Sequence, residues 1–215
     1  MQYLLANASR LVLLWLSLSV HEWAHARSAY ALGDDTAKAM GRMTLDPTAH
    51  IDPVGTFLLP LLGVPFGWAR PVPVNPARFR RDVSMSFGMM VTAAAGPISN
   101  FVLAGLAIGA WAVLLVVSPV LAYGTLGDLL QRLIELNIIL GTFNLLPVPP
   151  LDGSRIVNHF LPDSLRGGWR AVEAAGRFLP FLVLIGLQTL GLNPFAVPLA
   201  VVENLMEWVQ RATGR

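Results

Sequence analysis

The sequence predicts an all-α polytopic membrane protein with about five to six transmembrane helices and a short re-entrant or extended element between the first and second core helices. Hydrophobic residues make up 54% of the 215 residues and charged residues only 13%, against about 25% charged residues in soluble domains. Several apolar runs reach the roughly 20 residues that a helix needs to cross a bilayer. We expect one integral membrane domain at 1–215, with a core at 3–160 and C-terminal accessory helices at 168–212.

The candidate transmembrane helices follow one another along the chain, each as an apolar run. A further apolar segment, residues 53–65, is short and is interrupted by three prolines and two glycines. It therefore favours a partly inserted or re-entrant element over a full crossing. The candidate spans are residues 3–32, 87–117, 127–147, 171–190 and 194–210.

The positions of Lys and Arg predict the orientation of these helices. Basic residues precede and follow segment 53–65, and the positive-inside rule places both groups in the cytoplasm only if that segment does not cross. The loops after the first helix and around 153–170 then face the cytoplasm with the C-terminus. The turns near 118–126 and 191–194 contain no Lys or Arg and face out. This pattern predicts a multi-pass protein of the cell (inner) membrane.

Charge and cysteine content restrict the partners and the chemistry. The net charge is +2, so the basic isoelectric point reflects arginine-rich loops at a membrane surface; the expected partner is the lipid bilayer, and nothing indicates nucleic acid. The chain contains no cysteine. Disulfides and thiolate ligands are therefore excluded, and any metal must be held by imidazole and carboxylate groups.

Residues 67–81 alternate apolar and proline positions. Proline at this density forbids a helix and favours an extended strand or a turn. An extended edge can pair with an extended peptide by strand addition. The alternative is a cytoplasmic loop that its arginines hold near lipid headgroups, and the sequence leaves both interpretations open.

The first predicted helix carries the strongest chemical signal, the pentad His21-Glu22-Trp23-Ala24-His25. On a helix, the two histidines fall one turn apart on one face and can hold a single metal, while the glutamate points to the side where a metal-bound water would lie. A charged group at membrane depth costs roughly 2.5–3.5 kcal/mol. Such a cluster in an apolar run is therefore a candidate functional site.

Two histidines do not complete a zinc site, so a third ligand is needed. The sixth position after His25 is Ala31, and the next glutamate after the pentad is Glu135, so the third ligands used by soluble zinc proteases do not fit. Asp152 fits best. It follows three prolines that must break the preceding helix, at the same inner level as the pentad. His50, in a proline-flanked loop, is an alternative ligand, or a loop histidine bonded to backbone.

Two of these stretches together resemble the site-2 protease family of intramembrane zinc metalloproteases, in its small form without PDZ or CBS domains. They are the pentad at 21–25 and Asn-Leu-Leu-Pro-Val-Pro-Pro-Leu-Asp-Gly at 144–153. The resemblance covers about residues 10–160 and leaves the last two helices out. It extends to residues 41–55, 69–76 and 95–100.

The resemblance implies one Zn²⁺ per chain, bound by His21, His25 and Asp152. It also implies that Glu22 is the general base and later the proton donor, and that Asn144 donates to the developing oxyanion or fixes substrate backbone. The implied activity is intramembrane cleavage of transmembrane segments of membrane protein substrates by metal-activated water. For Asn144 the alternative is an amide that satisfies carbonyls of the broken helix.

A different class of function remains open, a non-proteolytic zinc-binding membrane scaffold or a metal transporter. A transporter predicts ionisable residues spread along the spans, whereas here they collect at one depth, and a scaffold predicts loss of Glu22, which is present. Other polar residues have structural interpretations. Asn100 is expected to hydrogen-bond across the helices or to touch substrate. Glu135 and Asn137 are expected to be satisfied by neighbouring helices, with Arg132 as a second possible partner of Glu135.

Overall fold

The chain is helical in the computed structural model, which describes residues 2–58, 68–174, 176 and 179–214. Across these ranges no β-strand forms. The prediction of an all-α protein is therefore confirmed. The helices are α1 Gln2–Ala31, α2 Thr36–Ala39, α3 Met85–Val117, α4 Pro119–Ala122, α5 Thr125–Leu145, α6 Asp152–Phe160, α7 Asp163–Glu173, α8 Leu179–Thr189 and α9 Ala196–Ala212.

Helix α3 is the centre of the fold and packs against α5, α1 and α6. It begins where the Ser84 hydroxyl accepts a hydrogen bond from the Phe87 N–H, which satisfies one free amide of the first turn. It continues for 33 residues, and in the described part of the chain it is the one helix both long and apolar enough to cross a membrane. The helices α1 and α5 run antiparallel to α3, so their C-terminal ends lie beside its N-terminal half.

The predicted count of five to six spans is not confirmed. At 171–190 the prediction of one continuous helix is wrong, because α7 ends at Glu173 and a separate helix, α8, contains only 11 residues. Gly176, with φ of +84°, adopts the left-handed conformation that commonly follows a helix end. A helix of 11 residues is shorter than the roughly 20 needed for a perpendicular crossing.

The connection between α1 and α3 is irregular and is held by hydrogen bonds from loop to loop. The Trp68 N–H donates to Gly55 O at 3.3 Å and the Arg70 N–H to His50 O at 2.8 Å. The Asn75 N–H donates to Asp34 Oδ2 at 2.6 Å. Residues 68–75 form neither a helix nor a strand, and Pro71 and Pro73 have no N–H to donate to a strand ladder. The prediction that proline forbids helix in 67–81 is wrong at Pro76–Arg78, which form a short 3₁₀ helix.

The predicted re-entrant segment 53–65 is described only in part. Residues Pro53–Leu58 form a π-type turn, and 59–65 lie outside the described residues. The hydrogen bond from the Trp68 N–H to Gly55 O brings residue 68 next to the start of this segment. That the segment does not cross the membrane stays a prediction.

The C-terminal helix α9 packs on the other half of α3 and α5. Val209 lies in a buried cluster with Trp111 and Leu115 of α3, and Val202 lies in a second cluster with Ile134 of α5. The helix predicted as an accessory element thus contributes to the same packed bundle as the core helices.

Candidate metal centre

Three side chains that are far apart in the sequence meet where α1, α3 and α6 converge. His21 and His25 lie one turn apart on α1, and Asp152 is the first residue of α6. The two Nε2 atoms are 3.0 Å apart. Asp152 Oδ2 lies 3.2 Å from Nε2 of His21 and 3.3 Å from Nε2 of His25. In the described part of the chain this is the one group of three His or acidic residues close enough to share a metal ion.

The other ring nitrogen of each histidine is held by a neighbouring helix. His25 Nδ1 lies 2.7 Å from the Thr92 carbonyl oxygen of α3. Because a carbonyl only accepts hydrogen bonds, this Nδ1 must carry the proton, and Nε2 of the neutral ring keeps its lone pair. His21 Nδ1 lies 2.7 Å from Oδ1 of Asn100, also on α3.

A buried chain of amides sets the direction of the Asn100 contact. Asn137 Nδ2 donates to the Leu133 carbonyl at 2.8 Å and to Ser17 Oγ at 2.9 Å. Its Oδ1 must then accept, and it does so from Asn100 Nδ2 at 2.8 Å. Asn100 Oδ1 is thereby turned to His21 and accepts its Nδ1 proton. The chain crosses α1, α3 and α5, and Asn100 and Asn137 are fully buried.

The arrangement fits a tetrahedral metal ion. Both imidazoles direct an unprotonated Nε2 toward the same point, and Asp152 Oδ2 is buried without a hydrogen-bond donor among the described residues. Three converging lone pairs repel one another unless a cation lies between them. Ligand atoms about 2.0–2.1 Å from a tetrahedral zinc ion lie roughly 3.3 Å apart, close to the spacings of 3.0–3.3 Å found here.

Two glycines allow the helices to approach this closely. A Cβ atom added at Gly96 of α3 would overlap the imidazole rings of both His21 and His25. A Cβ atom at Gly153 would overlap the carbonyl groups of Leu145 and Leu146, where the chain turns from α5 into α6. Pro147, Pro149 and Pro150 follow the end of α5 at Leu145, as predicted. Gly153 lets the first turn of α6 pack closely against that end.

Glu22 lies next to His21 on α1 and is 8% exposed. It is not part of the three-residue group. Its Oε2 accepts a hydrogen bond of 2.8 Å from the backbone N–H of Val72, in the loop before α3. This contact was not predicted, because nothing in the sequence near Val72 indicates which acceptor its N–H would find.

Arg42 is a buried cation that hydrogen-bonds to the backbone next to this contact. Its Nη2 donates to the carbonyl oxygens of Arg70 at 2.6 Å and of Pro71 at 3.3 Å. The side chain is 8% exposed. Burial and the neighbouring Arg70 charge lower the pKa of the Arg42 guanidinium, while the Glu22 carboxylate raises it. Sequence reasoning also missed this residue.

The remaining predicted residues lie outside the three-residue group. His50 is buried with its Nε2 at 2.9 Å from the Thr44 carbonyl, as expected of a loop histidine bonded to backbone. Asn144 Nδ2 donates to the Leu140 carbonyl at 3.0 Å. The predicted cross-helix hydrogen bonds of Asn100 and Asn137 are confirmed, although His21 was not foreseen as a partner. Glu135 is exposed.

Comparison with known proteins finds a peptidase family and relatives named as zinc metalloproteases. The sequence model of peptidase family M50 matches residues 112–187 of this chain. The chain is 43% identical over 178 residues to "Putative zinc metalloprotease YwhC" of Bacillus subtilis (strain 168), covering 80% of this chain and 78% of that protein. It is 30% identical over 172 residues to "Putative zinc metalloprotease Rip2" of Mycobacterium tuberculosis (strain ATCC 25618 / H37Rv), covering 79% of this chain and 64% of that protein. No solved structure matches.

Proposed function

Because this chain belongs to peptidase family M50, we propose that it is a zinc-dependent intramembrane endopeptidase that cleaves transmembrane segments of other membrane proteins. The observation that carries the proposal is the buried group of His21, His25 and Asp152, with the buried Glu22 next to His21 on α1. The names of the relatives support zinc as the metal and proteolysis as the chemistry.

We propose that zinc is held by Nε2 of His21, Nε2 of His25 and the carboxylate of Asp152, with one ion per chain. Two imidazoles and one carboxylate leave the fourth tetrahedral position open. Zinc in such a site supplies Lewis-acid activation of water and of the peptide carbonyl. The hydrogen bonds from Nδ1 of each histidine fix the ring orientation and keep the ligand nitrogen unprotonated.

The chain's own base is Glu22. Its Oε2 is held by the Val72 N–H, so Oε1 is the oxygen left to take a proton from the attacking water. As the water oxygen bonds to the peptide carbon and the carbon–nitrogen bond breaks, Glu22 returns that proton to the leaving amine. The neutral Val72 N–H on Oε2 orients the carboxylate and leaves Oε1 free for proton transfer.

A transmembrane substrate must unwind before it can react, because a helix keeps its carbonyls in intrahelical hydrogen bonds. Each unpaired backbone group in a low-dielectric site costs several kcal/mol. We propose that residues 72–75 offer replacement partners by pairing with the unwound substrate. The Val72 N–H is already used by Glu22, whereas the Val74 N–H has no acceptor among the described residues. Val74 is therefore the main donor of this segment.

Asn144 is proposed as a polar group facing substrate. One hydrogen of its amide nitrogen is used by the Leu140 carbonyl, which leaves one hydrogen for a substrate oxyanion or carbonyl. The same contact supports the structural alternative, because it satisfies a carbonyl near the broken end of α5.

We further propose a multi-pass location in the cell (inner) membrane with the site toward the cytoplasm, formed by a single domain at 1–215. The end of α1, the end of α5 and the start of α3 lie on one side of the bundle, where the arginine-rich loops also lie. Single cysteines replacing Lys38, Arg78 and Arg166 should react from the cytoplasmic side, and one replacing Tyr123 from outside. Labelling of position 78 from outside would overturn this orientation.

The proteolytic function is tested by co-expression with a library of single-span membrane proteins. We expect the wild type to cleave some members and Glu22→Gln to cleave none, while both proteins retain zinc. Glu203→Gln on the exposed face of α9 is the matched control and should cleave like the wild type. Cleavage that survives in Glu22→Gln would contradict the mechanism. Zinc retention without cleavage of any member would favour the scaffold, and zinc flux into proteoliposomes the transporter.

A further inference from the structure

We propose that Arg42 is a positioning residue for the general base: its guanidinium holds the backbone of residues 70–72 so that the Val72 N–H stays on Glu22. The proposal rests on the function proposed above, in which Glu22 transfers the proton. It gives a role to a buried charge that no described carboxylate pairs with.

One peptide unit connects Arg42 to Glu22. The Pro71 carbonyl oxygen accepts from Arg42 Nη2 at 3.3 Å, and the Val72 N–H of that same peptide unit donates to Glu22 Oε2 at 2.8 Å. The unit is planar and rigid, so a displacement of its oxygen displaces its N–H. A cation on the carbonyl oxygen also polarises the amide and strengthens the N–H as a donor.

The second contact of Arg42 fixes the preceding unit. Arg70 O accepts from the same Nη2 at 2.6 Å, so the guanidinium holds two consecutive carbonyls. The local sequence makes this necessary, because Pro71 and Pro73 have no N–H and cannot anchor the segment by a strand ladder. Between them, Val72 provides the one N–H, and Glu22 uses it.

The placement of Arg42 is itself well defined. Its backbone N–H donates to Ala37 O at 2.8 Å, after a turn in which Gly41 has a φ of +68°. Arginine is almost never fully buried unless it is paired, yet this side chain is 8% exposed and its hydrogen bonds go to backbone carbonyls. In the described chain it forms no ion pair closer than 4 Å.

Amide hydrogen exchange of the full-length, zinc-loaded protein in detergent gives a test that does not need a substrate. A peptide covering 70–74 begins at Arg70, whose nitrogen becomes the peptide's amino terminus, and its other amide hydrogens are at Val72 and Val74. The Val74 N–H has no acceptor among the described residues, so slow exchange in this peptide reports on Val72. Arg42→Met should speed exchange at Val72 by about tenfold or more with zinc content unchanged. The matched control is Arg70→Met, which removes an exposed arginine side chain and keeps its carbonyl; it should leave Val72 protected.

Cleavage kinetics test the consequence for catalysis, with a single-span protein that the wild type cleaves. Arg42→Met should lower kcat by about 10- to 100-fold with little change in KM, since small displacements of a reacting group have effects of this size. Arg42→Lys keeps the charge but lacks the planar guanidinium. Its kcat should lie between those of the wild type and Arg42→Met. Val72→Pro removes the N–H itself, so in that background Arg42→Met should have little further effect.

Four results would overturn the proposal. They are unchanged exchange at Val72 in Arg42→Met, a rise in KM with constant kcat, an equal loss from Arg42→Met with and without Val72→Pro, and loss of zinc in both Arg42→Met and Arg42→Lys. Failure of the proteolytic function would appear differently. The wild type would then cleave nothing, while the exchange result would still report whether Arg42 holds the Val72 amide.

Discussion

The two halves of the candidate site are supported in different ways. The metal half is held by helices: α1 presents His21 and His25, and side-chain and carbonyl groups of α3 bind their outer nitrogens. The other half is held by a loop: Glu22, the proposed base, receives one backbone N–H from the loop before α3. Regular helices give the proposed metal ligands fixed positions. A loop gives the base a single backbone partner, which depends in turn on the hydrogen bonds of Arg42 to the same loop.

The difference predicts how each half fails. A change in the helical half should weaken zinc binding and lower activity with it, because the proposed ligands must meet within a few tenths of an ångström. A change in the loop half should leave zinc in place and reduce turnover.

The largest effect is expected from Gly96→Ala. The added methyl group would overlap both imidazole rings, so zinc binding and cleavage should fall to background even though alanine favours helices. The control is Gly105→Ala in the same helix, where a Cβ atom meets nothing within 4 Å, and which should retain zinc and activity. Zinc content by elemental analysis and cleavage of a single-span substrate are the measurements. Normal zinc content in Gly96→Ala would show that the site is assembled elsewhere.

A smaller effect is expected from Asn137→Ala, which does not touch the ligands. It removes the amide that orients Asn100, so His21 loses the support that fixes its protonation. Zinc affinity should fall about 10- to 100-fold, as for other groups that orient metal ligands, and unfolding free energy by about 1–3 kcal/mol because buried partners are left unpaired. Asn204→Ala, on the exposed face of α9, is the control. An unchanged affinity for zinc, measured by chelator competition, would show that the amide chain supports only the fold.

The smallest effect is expected from Val74→Pro, which changes the loop half without touching Glu22. It removes an N–H that is proposed to bind unwound substrate and that has no acceptor among the described residues. Cleavage of a long helical substrate should fall several-fold, to the order of one lost hydrogen bond, with zinc content unchanged. Val72→Pro is not an equivalent test because it also releases Glu22. Unchanged cleavage in Val74→Pro would return residues 67–81 to the status of a surface loop.

The contrast between a helix-held half and a loop-held half also explains which parts of the site the sequence could predict. The grouping of His21, His25 and Asp152 follows from local rules, since helical spacing pairs the histidines and a proline-broken helix end places a carboxylate at their level. The partners of these residues were harder to predict. The contact of Asn137 with Asn100 depends on how α3 and α5 are rotated about their axes. The contact of Val72 with Glu22 depends on a loop path without periodicity.

The fold shows the same limit. The α3 helix was predicted almost to the residue because it is long and apolar throughout. The prediction of a single span at 171–190 was wrong because an apolar run measures hydrophobicity and not continuity, and the chain ends α7 at Glu173 before the apolar run of α8.

The central claim, that metal binding and proton transfer belong to separately supported halves of one site, is tested most directly by the zinc content of two variants purified side by side. Glu22→Gln should retain close to one zinc per chain and cleave nothing. Asp152→Ala should lose most of its zinc. Loss of zinc from Glu22→Gln would contradict the separation of the two halves, and full zinc retention in Asp152→Ala would remove Asp152 as a ligand and return attention to His50.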